Sequence, residues 1–199
     1  VKFGEQYHGD FFDFPPFSMA AKPTKRSRKA TFPQYYLGVD GGGTKTQVAL
    51  MNEGREVIGE GAAGPSNPLR VGVETAVTNI IKATDQAMDA GGIMRVDIAA
   101  ATLGLAGVRR ADLKQRVKAS FTEQLRVRKT EVITDAEIAL FATTMGKPGL
   151  VVIAGTGSVC LGKNEKGKMA IAGGWGPLAG DEGGGVGIAQ TALHAVAKA

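Results

Sequence analysis

Apolar residues alternate or cluster over residues 35–39, 46–51 and 56–61, with turn-forming residues between the stretches. This period of two predicts an antiparallel meander of three strands. The period then changes. Val73, Val77, Ile80, Ile81, Thr84 and Met88 recur at helical spacing and predict a helix with one apolar stripe, closing near Gly91 and Gly92. Further strands are expected at 98–103 and 130–134, with a basic amphipathic helix over 112–124 between them. Strands separated by helices should lie parallel, in a mixed sheet covered by helices. After Lys147, Pro148 and Gly149 the pattern restarts, with strands expected at 150–154, 159–163 and 168–172 and an apolar helix over 186–199. Each meander opens on a turn bearing glycine and threonine. The two turns lie about 115 residues apart, an approximate internal repeat. The expected fold class is therefore α/β, with one domain over 34–148 and a second, related domain beginning over 149–199. The last helix runs out without a stop signal, as a fragment would.

Residues 1–33 do not share this order. Phe11, Phe12, Phe14 and Phe17 follow no period and a basic run occupies 22–29, which predicts a disordered extension with Met19 as a candidate native start. The remainder of the 199 residues, in a chain 43% hydrophobic, is long enough to bury a core. No apolar run approaches the roughly 20 residues of a membrane helix and no signal pattern opens the chain, so a cytosolic protein with no membrane partner is expected. One cysteine, Cys160, and two histidines argue against a disulfide framework or a Cys/His metal cluster. Much of the excess charge behind the net +5 sits in the 22–29 run, which reads as a solvated tail; nucleic acid is not an expected partner.

Candidate chemistry begins at the two turns. The first is Asp40, Gly41, Gly42, Gly43 and Thr44; the second is Gly155, Thr156, Gly157 and Ser158. Glycine allows positive φ and, lacking Cβ, lets amide N–H groups approach an anion such as phosphate, with each threonine adding a hydroxyl. Neither turn has the order of a Walker loop or of a dinucleotide-binding Gly-x-Gly-x-x-Gly. Ordinary hairpins would also use glycine here. Asp40 could hold Mg²⁺ through water or simply be a turn residue.

Asp135 stands where an apolar strand hands over to a helix, in reach of ligands at the carboxyl end of a sheet. It is the candidate base for phosphoryl transfer to a hydroxyl. A helix-capping role is the competing reading, because Thr134-x-x-Glu137 spells a capping box. Asn67 is a candidate contact or a turn residue. Gly174, Trp175 and Gly176 offer bare backbone beside the sole tryptophan, and Asp181 lies in a glycine-rich loop leading into a helix. Carboxylates, amides and an aromatic wall suit a sugar; acidic residues also suit a helix entry.

Taken in order, "LGVDGGGTKTQVAL", "GPSN", "VITDAEIALFA", "VVIAGTGSVCLG" and "GGWGPLAGDEGGGVGIA" resemble the N-acetylglucosamine kinase branch of the BadF/BadG/BcrA/BcrD ATPase family, over about residues 35–199. The resemblance implies an actin-like ATPase (ribonuclease H-like) fold, ATP and Mg²⁺ as cofactors, and transfer of the γ-phosphate to the 6-hydroxyl of an amino sugar. It implies phosphate contacts at Gly41, Gly42, Gly43, Thr44, Gly155, Thr156, Gly157 and Ser158, with Asp40 toward the cation. It implies Asp135 as base, and Asn67, Asp135, Gly174, Trp175, Gly176 and Asp181 as sugar contacts. Family members are longer, so this chain is expected to bind nucleotide poorly as written. The family's other branch, activators of 2-hydroxyacyl-CoA dehydratases, is the alternative, although its paired cluster cysteines have no counterpart in the lone Cys160. The choice of amino sugar and the oligomeric state, a homodimer included, stay open in the sequence.

Overall fold

Alternation builds the first sheet. In β1 (Tyr35–Gly41) and β2 (Thr46–Met51), Leu37, Val39, Val48 and Leu50 are buried, while Gly38, Asp40 and Gln47 turn to the other face. The computed structural model describes residues 34–94, 98–127, 129–155, 157–176 and 178–198. The predicted N-terminal extension and Thr156 lie outside them. β3 (Val57–Ala63) completes the antiparallel meander. β4 (Ile98–Leu105) runs parallel to β1, and β5 (Lys129–Thr134) parallel to β4, which gives the order β3-β2-β1-β4-β5. This mixed topology is the one expected of an actin-like ATPase.

Helices α1 (Pro68–Gly91) and α2 (Ala111–Leu125) cover the buried face. There Val77, Ile80, Val117 and Phe121 interleave with Leu103 and Leu105 of β4. The third helix, α3 (Asp135–Thr144), lies on the opposite face, where Ile138 sits so close over Gly104 that any side chain on Gly104 would overlap it. A separate antiparallel sheet follows in the order β6-β7-β8, from β6 (Gly149–Ala154), β7 (Ser158–Lys163) and β8 (Met169–Gly173), and α4 (Gly185–Ala197) comes last. Ala136 and Leu140 of α3 pack on Leu161, beside Val151 and Ile153, so α3 touches both sheets.

Two boundaries differ from the sequence reading for identifiable reasons. α1 begins at Pro68, well before the apolar stripe that starts at Val73, because Asn67 caps it by accepting a hydrogen bond from Leu69 N at 3.0 Å. Gly72, at φ 79°, then breaks the helical path, so the stripe records only the part beyond the break. β4 extends to Leu105 rather than ending at 103, which carries the sheet to the level of the first glycine turn. Among the described residues, no helix is long and apolar enough to cross a membrane.

Candidate functional site

Register places the functional residues at one edge. Gly41 pairs with Leu105, and Leu105 pairs with Thr134, so the first turn and Asp135 lie at the same edge of the sheet, on strands with β4 between them. Two strand spacings, about 10 Å, separate β1 from β5. Open α/β sheets bind ligands at this carboxyl edge. α3 and β6 run antiparallel through a short connection, and Ala136 packs in the cluster that includes Ile153. The second turn follows β6, whose Ile153 shares a cluster with Ala136, the residue after Asp135.

The first turn is held from several sides. Gly42 O accepts hydrogen bonds from Ser66 N and Asn67 N, both at 3.0 Å, and Ala106 N donates to Gly41 O at 2.8 Å. Arg70 Nη1 donates to Gly43 O at 2.9 Å. Contrary to expectation, Gly41, Gly42 and Gly43 do not adopt positive φ. Glycine is needed at Gly41 for a different reason: a Cβ there would run into Ser66 Oγ and Leu105 Cδ2. The expectation of bare amides is also narrowed, because Gly42 N donates to Lys45 O at 2.9 Å. The amides of Gly43 and Thr44 have no hydrogen-bond partner among the described residues. They open on a cleft of about 230 Å³ lined by Asp40, Gly42, Gly43, Thr44, Lys45 and Gln47. Two amides, a hydroxyl and an ammonium form a donor set that fits a phosphate chain, and the Asp40 carboxylate beside them suits a hydrated Mg²⁺.

The second turn is packed onto the acidic glycine loop. Gly155 N donates to Gly157 O and Gly185 N donates to Gly155 O, each at 2.8 Å, so the Gly155 amide is engaged within the turn. Ser158 Oγ accepts from Gly183 N at 3.1 Å. A Cβ on Gly157 would overlap the Asp181 carboxylate. Thr156, the predicted hydroxyl donor, lies outside the described residues.

Asp135 and the capping box turn out to be separate devices. Thr134 Oγ1 accepts from Glu137 N at 3.2 Å, while Glu137 Oε2 accepts from Thr134 N at 2.6 Å. The neighbours thus cap the helix, and Asp135 Oδ1 accepts from Ala136 N at 2.9 Å. Among the described residues no other residue is seen to donate to its Oδ2. Crowding by protein atoms strips hydration from the carboxyl and raises its pKa; the Ala136 amide opposes this, and the charge of Asp40 raises it again. Asp40 and Asp135 stand at the same edge of the sheet, one at the end of β1 and the other following β5.

Asp181 is the most strained residue of the site. It is 9% exposed, its Oδ1 is buried with no hydrogen-bond partner among the described residues, and its φ of 61° is left-handed. An unsatisfied buried oxygen and such a backbone each cost about 1–3 kcal/mol, and strain of this kind collects at binding sites. Asp181→Asn, which tolerates the same backbone and removes the charge from a buried carboxylate, is expected to raise the thermal midpoint while weakening ligand binding; paired melting and titration curves would read both.

The BadF/BadG/BcrA/BcrD ATPase family pattern matches residues 37–199. The chain belongs to this family. The N-acetylmuramic acid/N-acetylglucosamine kinase of Clostridium acetobutylicum is 33% identical over 170 residues, covering 83% of this chain and 54% of the relative. The N-acetyl-D-glucosamine kinase of Dictyostelium discoideum is 33% identical over 175 residues, covering 83% of this chain and 55% of that protein. A crystal structure from Chromobacterium violaceum, provisionally described as an N-acetylglucosamine kinase, superposes with a TM-score of 0.69 at 29% identity, over 81% of this chain and 56% of the other. The chain spans about half the length of the curated relatives it matches.

Within this BadF/BadG/BcrA/BcrD family member, two arginines escaped the sequence reading. Arg70 bonds the first turn, as above. Arg109, in the loop after β4, donates from Nη1 to Gly174 O at 2.8 Å and stands 4.5 Å over the Trp175 ring. The available signal was position, since "GVRR" follows directly on a strand's carboxyl end. Asn67 sits at the first turn, whereas Gly174, Trp175 and Gly176 follow β8. Arg109 is the described contact that joins the β4–α2 loop to that segment.

Proposed function

We propose that the protein transfers the γ-phosphate of ATP to the 6-hydroxyl of N-acetylglucosamine or a close amino sugar, in the cytosol. The reading rests above all on one observation. A carboxylate, Asp135, stands at the strand ends across from a cleft that combines open amides, Thr44, Lys45 and Asp40. The curated relatives, named as kinases of these sugars, support the same choice.

In this reading the two sheets are two lobes and the substrates meet between them. Gly43 N, Thr44 and Lys45 grip phosphate oxygens, and Gly157, Ser158 and Thr156 meet them from the second lobe. Asp40 would hold a hydrated Mg²⁺, which would supply charge neutralisation for the leaving diphosphate. Asn67, Gly174, Trp175, Gly176 and Asp181 orient the sugar. Asp135 Oδ2 accepts the proton of the 6-hydroxyl as its oxygen attacks phosphorus, and ADP leaves. Alignment supplies much of the rate, because this chemistry asks for positioning and charge rather than covalent catalysis.

A substrate panel tests the proposal. ADP release should depend on one of N-acetylglucosamine, glucosamine or N-acetylmuramic acid and saturate with it. Release at the same rate with every sugar omitted would reject the reading in favour of an ATPase.

A further inference from the structure

The loop at residues 106–110 reaches the first turn, Asn67 and the segment after β8. Ala106 N bonds the first turn at Gly41 O, 2.8 Å away, and Val108 is fully buried in the core. Gly107, at φ 81°, lies so close under Asn67 that a Cβ would overlap its Oδ1. Arg109 then reaches the opposite side, with Nη1 on Gly174 O and its guanidinium over Trp175. One short loop thereby fixes Asn67 and Trp175 relative to each other.

The segment that Arg109 holds is rich in glycine and exposed. Gly173, Gly174 and Gly176 all adopt positive φ, at 73°, 70° and 85°, and Trp175 between them is 68% exposed. Glycine-rich backbone loses the most conformational freedom on ordering. Besides Arg109, its hydrogen bonds among the described residues are Gly174 N to Ser158 O at 2.8 Å and a local turn in which Ala179 N donates to Gly176 O at 3.3 Å. A guanidinium is well suited to the second tether: it is planar, always charged, stacks on indole and donates to a carbonyl at the same time.

We infer that Arg109 is a positioning residue that preorganises the Gly174-Trp175-Gly176 wall for the sugar, an inference that rests on the amino-sugar reading above. A binding-competent wall that is only fractionally populated weakens apparent affinity by that fraction. Losing the hydrogen bond and the stacked cation together should weaken sugar binding by about tenfold. Lysine keeps the charge over the ring but not the planar fork, so Arg109→Lys should fall between.

Trp175 is the only tryptophan of the chain, so its fluorescence reports on this wall alone. Time-resolved anisotropy should show a larger fast component, on the picosecond–nanosecond scale, in Arg109→Ala than in the unaltered protein. Arg109→Lys should be intermediate. Arg110→Ala, which removes an exposed partner of Asp112, should leave anisotropy unchanged. Titration with N-acetylglucosamine should then give dissociation constants rising in the same order. Unchanged anisotropy and affinity in both Arg109 variants, with sugar still binding, would overturn the role of Arg109 alone. Absence of any saturable sugar response in the unaltered protein would overturn the sugar reading and this role with it. If Arg109→Ala does not fold, the lysine variant carries the comparison: looser Trp175 and weaker binding support the inference, and behaviour matching arginine rejects it.

Discussion

Asp135→Asn is expected to lower sugar phosphorylation by about 10²–10⁴-fold, the usual contribution of a positioned general base. The asparagine Oδ1 can still accept from Ala136 N, so the helix start and the capping box of Thr134 and Glu137 should survive. Affinities for nucleotide and sugar should therefore change little while turnover collapses, a split that steady-state kinetics would show directly. Stability should move the other way. The Asp135 pKa is raised in the fold, chiefly by lost hydration, above the ordinary 3.8. Between that value and the folded one, the native state holds the proton more tightly than the unfolded chain. The stability this supplies is complete at low pH and is lost as pH rises through the folded value. Asparagine has no such loss. At neutral pH the variant should melt above the unaltered protein, with the gap closing as pH falls toward 3.8. Turnover of the unaltered enzyme should decline over a window above the ordinary carboxylate range, as the base becomes protonated.

Gly61→Ala is expected to destabilise the fold by at least about 3 kcal/mol, at the upper end for overpacking. A Cβ on Gly61 would overlap the carbonyl oxygen of Ala83, and one on Gly59 would overlap that of Ala87. Both obstacles are helix backbone, which cannot rotate aside like the end of a flexible side chain. The methyl group would push α1 off β3, and α1 carries Val77, Ile80 and Ala83 of the main core. Urea denaturation should show a lower midpoint with a similar slope. Because α1 is also capped by Asn67 beside the first turn, the variant should lose nucleotide affinity as well.

Sequence pattern made the sheet legible because burial on one face imposes alternation: the strands expected at 35–39 and 46–51 pair as an antiparallel hairpin, with Leu37, Val39, Val48 and Leu50 buried. The strand-to-helix position of Asp135 was legible for the same reason, and so was the capping box, a local device written in consecutive residues. Features that depend on what a distant segment brings near were not. "IGEGAA" reads as a strand, but only the packing of α1 shows why two of its residues must be glycine. The first turn looked like a case for positive φ, yet Gly41 answers to the side chains of Ser66 and Leu105. Arg109 gave no periodic signal, since its partners Gly174 and Trp175 lie far along the chain and approach only through tertiary structure.

The most direct single measurement is a ¹H–³¹P correlation spectrum of the protein incubated with ATP, Mg²⁺ and N-acetylglucosamine. Coupling of a new phosphorus signal to the two protons on C6 is the expected result, with that signal missing from the Asp135→Asn reaction. Inorganic phosphate formed at equal rates with and without the sugar, and no sugar phosphate, would contradict it.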